Sequence, residues 1–155
     1  MYIDFNDMPG DSKLWIYQAH RKMTIKEIVK IKAQLCDFCS NWESHGKRVQ
    51  SSFQLYDWFL FLLVDESDFI TSGCSIDSSV KLIKKIASSY DINFFNRTNI
   101  AYIQDDHIKV SPLQDFKKIM TNTTIIYDNS ITRKKQLNDA WRVRVGDTWL
   151  SKFLK

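Results

Sequence analysis

The apolar positions of this chain fall into three patterns, and each predicts a different element. Trp58 to Val64 is seven apolar residues in a row, closed by Asp65 and Glu66. A continuous run of that length, rich in large side chains, predicts a strand covered on both faces. Ile25, Ile28, Ile31, Leu35, Phe38 and Trp42 recur at steps of three and four, which predicts one apolar helix face. Thr24-Ile-Lys-Glu27 has capping-box spacing, so the helix should start at Ile25 and run to Glu43. Ser44-His45-Gly46 then reads as its end, with Gly46 at the left-handed position after it. Val80, Ile83, Ile86 and Ala87 give a second helix, Ile76 to Tyr90, closed by Asp91-Ile-Asn93.

Shorter β-rich runs predict strands at Leu14 to Ala19, Gln50 to Tyr56, Asn99 to Ile103, His107 to Val110 and Thr124 to Tyr127. Pro112 should open a short helix from Leu113 to Met120, and Ile131 to Trp141 reads as a further helix. Pro9-Gly10-Asp11 marks a turn in an N-terminal arm that docks through Tyr2 or Phe5. Trp149, Phe153 and Leu154 suggest that the C-terminal segment folds back on the body. The first six elements read β-α-β-β-α-β, the ferredoxin-like order. The expected fold is α+β over one domain, residues 1–155. Its mixed or antiparallel sheet carries helices mainly on one face, and the later β and α elements extend it.

Composition changes this picture little. The chain has 155 residues, enough to bury about 68–70% of its unfolded surface without a metal or disulfide. Aromatic residues reach 14%, with five Trp, which points to a large core or an aromatic surface. The net charge of +4 is too small to imply nucleic acid. The pairs Lys84-Lys85, Lys117-Lys118 and Lys134-Lys135 read as solvated helix faces, with a phosphate-binding stripe as the alternative. Three cysteines without framework spacing favour a reducing compartment. No charged-then-apolar leader is present, and no apolar run approaches the ~18–20 residues of a membrane span. A cytoplasmic protein is expected.

The best-formed candidate site is the loop from Asp65 to Asp77. Cys74 lies at a predicted helix N-terminus, where the positive dipole end favours a thiolate. Asp77, placed in the first turn, would offset that effect. Ser72, Gly73 and Ser75 belong to the same turn and could hold an anion on backbone amides. His45 is the candidate base for Cys74, with His20 as a substitute. Asp65 and Glu66 end the central strand, though adjacent strand residues face opposite ways. Arg97, after Phe94-Phe95-Asn96, is a candidate anion contact or a loop anchor. Cys36-x-x-Cys39 lies mid-helix and reads as core packing. Neither a metal nor a cofactor is expected. The four glycines form no P-loop and no G-x-G-x-x-G.

Several stretches resemble a family of small bacterial proteins commonly labelled "ABC transporter ATPase". They are Trp15-Ile-Tyr-Gln18, Trp42-Glu-Ser-His-Gly46, Asp57 through Ser67, Ser72-Gly-Cys-Ser-Ile-Asp77 and Phe94-Phe-Asn-Arg97. The resemblance implies a stand-alone cytoplasmic protein and carries no catalytic role. ATP hydrolysis is not expected without a Walker motif.

The leading reading is a non-enzymatic binding domain for a protein partner or small ligand, centred on the Asp65–Asp77 loop. The alternative is a thiol-dependent enzyme or redox protein using Cys74. A third reading is an RNA-associated module, although no RNP-type pattern is present. Neither membrane nor nucleic acid is the expected partner. Should Trp15, Tyr17, Trp58 or Trp149 face solvent, a partner surface is expected there.

Overall fold

The computed structural model describes all 155 residues. The apolar run forms the middle strand of a three-stranded antiparallel sheet. In chain order this sheet takes β1 (Lys13–Gln18), β4 (Gln50–Leu55) and β5 (Phe59–Asp65), with spatial order β1-β5-β4. Alternation along β5 sends Leu60, Leu62 and Val64 to one face and Phe59, Phe61 and Leu63 to the other. All six are at most 1% exposed, so neither face meets water.

The first face is covered by α1 (Ile25–Asn41) and α2 (Gly73–Tyr90). α1 has the expected capping box: Thr24 Oγ1 accepts from the Glu27 N–H, and Glu27 accepts from the Thr24 N–H. Its inward stripe is Ile31, Leu35 and Cys39, with Trp42 just beyond; Ile25 points outward, 82% exposed. α2 begins three residues earlier than its apolar periodicity indicates, because Ser72 caps it. Its first buried positions are Ser75 and Ser79, not apolar residues.

The second face of β5 meets a second sheet. This is built from β6 (Asn99–Gln104), β7 (His107–Pro112), β8 (Ile125–Tyr127) and β9 (Arg142–Arg144), in the order β7-β6-β8-β9. Ala101, Ile108, Val110 and Tyr127 pack against Phe59, Phe61 and Leu63. The outer face of this sheet carries Tyr102 and Ile126. It is covered by Phe116 of α3 (Leu113–Ile119) and by Val145 and Leu150. The α+β class is therefore realised as four layers: two helices, a sheet, a second sheet, and a cover of α3 with the C-terminal turns.

The ferredoxin-like arrangement is not formed. A split β-α-β motif returns its strands to one sheet. Here β1 meets β5 antiparallel, and the strand after α2 leaves for the other sheet. The helix expected over Ile131–Trp141 is instead a 3-10 turn, Lys134–Leu137, followed by loop and β9. Its amides are taken by the N-terminal arm: Lys134 N–H donates to the Ser12 carbonyl and Lys135 N–H to that of Gly10. Ser44-His45-Gly46 does not cap α1, which ends at Asn41. It turns a small hairpin of β2 (Glu43–Ser44) and β3 (Lys47–Arg48). His45 and Gly46 both have positive φ, as a type I′ turn requires. In the C-terminal segment Leu150 is buried, whereas Trp149 and Phe153 face outward.

A chain of side-chain hydrogen bonds crosses between the sheets. Gln18 Nε2 donates to the Asn99 carbonyl at 3.3 Å, and Asn129 Nδ2 donates to Gln18 Oε1 at 2.8 Å. Trp141 Nε1 donates to Asn129 Oδ1 at 2.9 Å. On the helical side, Arg21 donates to both Glu27 carboxylate oxygens, at 2.9 and 2.8 Å, and to the Tyr90 carbonyl at 2.7 Å. This ties the start of α1 to the end of α2. The Arg21 hydrogen bonds, followed by the Thr24 N–H, pull the Glu27 pKa from 4.5 to about 2.

Leu62→Ala should destabilise the fold by about 2–5 kcal/mol, read by urea unfolding, because the site is closed on every side. A change within about 0.5 kcal/mol would remove β5 from the centre. Glu27 ionises more readily folded than unfolded. Its contribution is complete above pH 4.5 and lost as pH falls through about 2. Glu27→Gln should therefore cost about 1 kcal/mol at pH 7 and flatten the fall in melting temperature below pH 4.5.

Candidate functional site

Asp65, Glu66, Ser72 and Ser75 of the Asp65–Asp77 loop bond within the chain. Asp65 Oδ1 accepts from the Ser67 N–H at 3.0 Å, and Glu66 Oε2 from the Thr71 N–H at 2.6 Å. Ser72 Oγ caps α2 by accepting from the Ser75 N–H, and it donates to Ser75 Oγ. Ser75 Oγ in turn donates to the Glu43 carbonyl at 2.6 Å, while Ser72 N–H donates to Ser44 Oγ at 2.9 Å. Trp42 Nε1 completes the joint by donating to the Ser75 carbonyl. These bonds dock the start of α2 onto the β2–β3 hairpin. The serines read from sequence as a ligand cradle are the pegs of that joint.

Gly73, Cys74 and Asp77 remain exposed on the rim. Because α2 starts at Gly73, Asp77 lies beyond its first turn, and no acid occupies that turn. The Ser44–Ser72 bond brings the hairpin carrying His45 to the end of α2 that carries Cys74. His45 and Cys74 are both exposed. His20 is elsewhere; its Nδ1 accepts from the Asn93 N–H at 2.8 Å, which leaves the proton on Nε2. Arg97 lies in an exposed loop anchored by Asn96 Oδ1, which accepts from Thr98 N–H and Oγ1. Beside it Phe95 packs edge-on to Tyr17, 5.8 Å between centroids. Cys39 is buried beside Cys36 in α1, and burial pushes its thiol up to about 11. No group of three or more His, Cys, Asp or Glu is placed to hold a metal ion.

A cleft of about 360 Å³ opens at the other side of the first sheet, toward the N-terminal arm. Four rings line it: Phe5, Tyr56, Phe61 and Trp141. Tyr56 and Phe61 meet edge-on at 5.3 Å, and Phe61 and Trp141 at 5.0 Å. Leu137 completes the apolar wall, and Lys134, Lys135 and Asn138 supply the polar rim. Lys134 Nζ donates to the Met8 carbonyl at 2.7 Å and sits 4.9 Å over the Phe5 ring. Lys135 makes an exposed ion pair with Asp11, a contact that exchanges readily with solvent or another anion. No carboxylate lines the cleft. Partial burial raises the Tyr56 hydroxyl pKa, so it stays neutral at physiological pH.

This cleft has no local signature in the sequence. Its rings come from the arm, from both sides of the β4–β5 turn and from a segment expected to be helical. The Lys134-Lys135 pair was its one visible mark. A second depression of about 430 Å³ lies between α1 and α2, where Asp37, Glu43 and Lys85 surround Phe38 and Leu82. Comparison with protein-family models, curated proteins and solved structures finds no match to the chain.

The three thiols should separate in alkylation followed by mass spectrometry. Cys74 should react in the folded protein, and Cys39 only on unfolding. If the His45 turn acts on Cys74, His45→Ala should slow the Cys74 reaction several-fold; an unchanged rate separates the two.

Proposed function

We propose that the protein is a binding protein without catalytic chemistry of its own, and that the aromatic cleft is its site. The observation that carries this reading is the convergence of four rings and a lysine rim on one concavity. Apolar walls with a few placed polar groups are the usual construction of a small-ligand site, and the volume lies in the range for one. Rings supply contact area at low entropic cost, and the lysines favour a ligand bearing negative charge. The internal bonding of the Asp65–Asp77 loop supports moving the site away from that loop. The setting proposed is the cytoplasm, where three free thiols stay reduced.

A second reading, thiol chemistry at Cys74, is favoured by the exposure of that residue and the docking of the His45 hairpin beside it. It stands or falls on the alkylation rates described above.

The cleft is tested with 8-anilinonaphthalene-1-sulfonate, an aromatic anion whose emission rises in apolar sites. One saturable site is expected by fluorescence titration. Leu137→Glu, which places a carboxylate in the wall, should weaken binding about tenfold or more, about 1.4 kcal/mol. Tyr56→Ala should weaken it less. Both variants should be shown folded by their melting curves. Binding that ignores both substitutions, or no binding, would refute the assignment.

A further inference from the structure

We propose that the surface formed by Trp149, Phe153, Lys117 and Lys152 docks reversibly on an anionic lipid membrane. The inference does not rest on the aromatic cleft. The segment Trp149–Phe153 is a 3-10 turn with two opposed sides. Leu150 is fully buried and Leu154 half-buried against the outer core, whereas Trp149 is 56% exposed and Phe153 36%. Two neighbouring exposed rings, one of them the largest side chain available, are an unpartnered apolar feature. Only Trp42 and Trp141 donate an indole N–H to the protein, so that of Trp149 is free for an external acceptor.

The charge around these rings points to an acidic partner. Lys117 Nζ sits 3.7 Å from the Phe153 centroid, and Lys152 Nζ lies 5.1 Å from Phe153 and 5.7 Å from Trp149. The wider distribution agrees. Residues 113–155 carry nine Lys or Arg against four Asp, a net +5, whereas residues 1–112 carry thirteen against fourteen acidic residues, a net −1. The modest overall charge thus conceals a one-sided allocation along the chain, which is a signature of polyanion contact.

Ring geometry decides between the two polyanions. Single-stranded nucleic acid stacks its bases on open ring faces. Here the two rings stand at 84° to each other, and ammonium groups lie over their faces. With lysines over both rings, the faces a base would stack on are shared with cations. That matches a headgroup layer, where Trp seats its apolar body and frees its N–H while lysines meet lipid phosphates. No helix of the chain is long and apolar enough to cross a membrane, and a peripheral contact needs none. Apolar runs too short to span a bilayer leave contact at its surface open.

The test is co-sedimentation of the full chain with vesicles of phosphatidylcholine alone and of phosphatidylcholine with phosphatidylglycerol. Binding is expected to the mixed vesicles at low salt, to fall as salt rises, and to be absent with phosphatidylcholine alone. Lys117→Glu combined with Lys152→Glu should reduce the bound fraction about tenfold, and so should Trp149→Ser; Trp149 and Lys152 are exposed and Lys117 half-buried, and the melting curves should show both variants folded. Brominated lipids should quench a part of the tryptophan emission that Trp149→Phe removes. Failure to sediment with anionic vesicles overturns the proposal, and so does sedimentation that these substitutions leave unchanged. Binding of poly(U) in place of vesicles would assign the face to nucleic acid and equally overturn it.

Discussion

A strand with two apolar faces needs two covers, and that requirement generates this architecture. β5 presents Leu60, Leu62 and Val64 to one side and Phe59, Phe61 and Leu63 to the other, all removed from water. Two amphipathic helices meet the first demand. The second is met by another sheet, which then has an apolar outer face of its own around Tyr102 and Ile126. α3 and the C-terminal turns close that face. Each layer therefore exists because the one beneath it left a surface exposed, and the sequence of covers ends at layers that show mainly polar groups to solvent, with Trp149 and Phe153 the exception in the last of them.

What could be read from the chain follows the range of the interactions that decide it. α1 was legible because its capping box and apolar stripe are local. α2 starts ahead of its apolar period because its first buried residues are Ser75 and Ser79, which bury by hydrogen bonding and leave no apolar mark. The second sheet was beyond reach. Its pairing of Tyr102 with Ile126 depends on which loops close, and local pattern carries no such information. Ile131 to Trp141 has helix-like spacing, yet its amides find better-placed acceptors in Ser12 and Gly10, far off in sequence. The same logic applies to sites. The loop serines looked available because their partners, Glu43 and Ser44, lie some thirty residues away. The four rings of the cleft come from three separate segments and announce nothing until folded.

The two surfaces of interest share an origin. Lys134 and Lys135 at the cleft and Lys117 and Lys152 at the outer patch all belong to the basic final stretch of the chain. The preceding 112 residues, nearly neutral, build most of the core. Cations of the final stretch sit against aromatic rings at both surfaces, Lys134 against Phe5 of the N-terminal arm and Lys117 against Phe153. A ring held against an ammonium group loses little further freedom on meeting a ligand, and the pairing lets apolar area sit in water at modest cost.

The side-chain relay from Asn99 through Gln18 and Asn129 to Trp141 has a consequence for recognition. Each amide in it uses its oxygen and its nitrogen in opposite directions, so neither can flip without breaking a bond to a neighbour. Sliding one sheet over the other would strain both bonds of Gln18, which reach from the first sheet to the second. The indole forming one wall of the cleft is thereby fixed in orientation before any ligand arrives. In the binding role proposed for it, such a cavity would be preorganised: it would select by shape, give up little conformational entropy on occupancy, and discriminate against molecules that require it to yield.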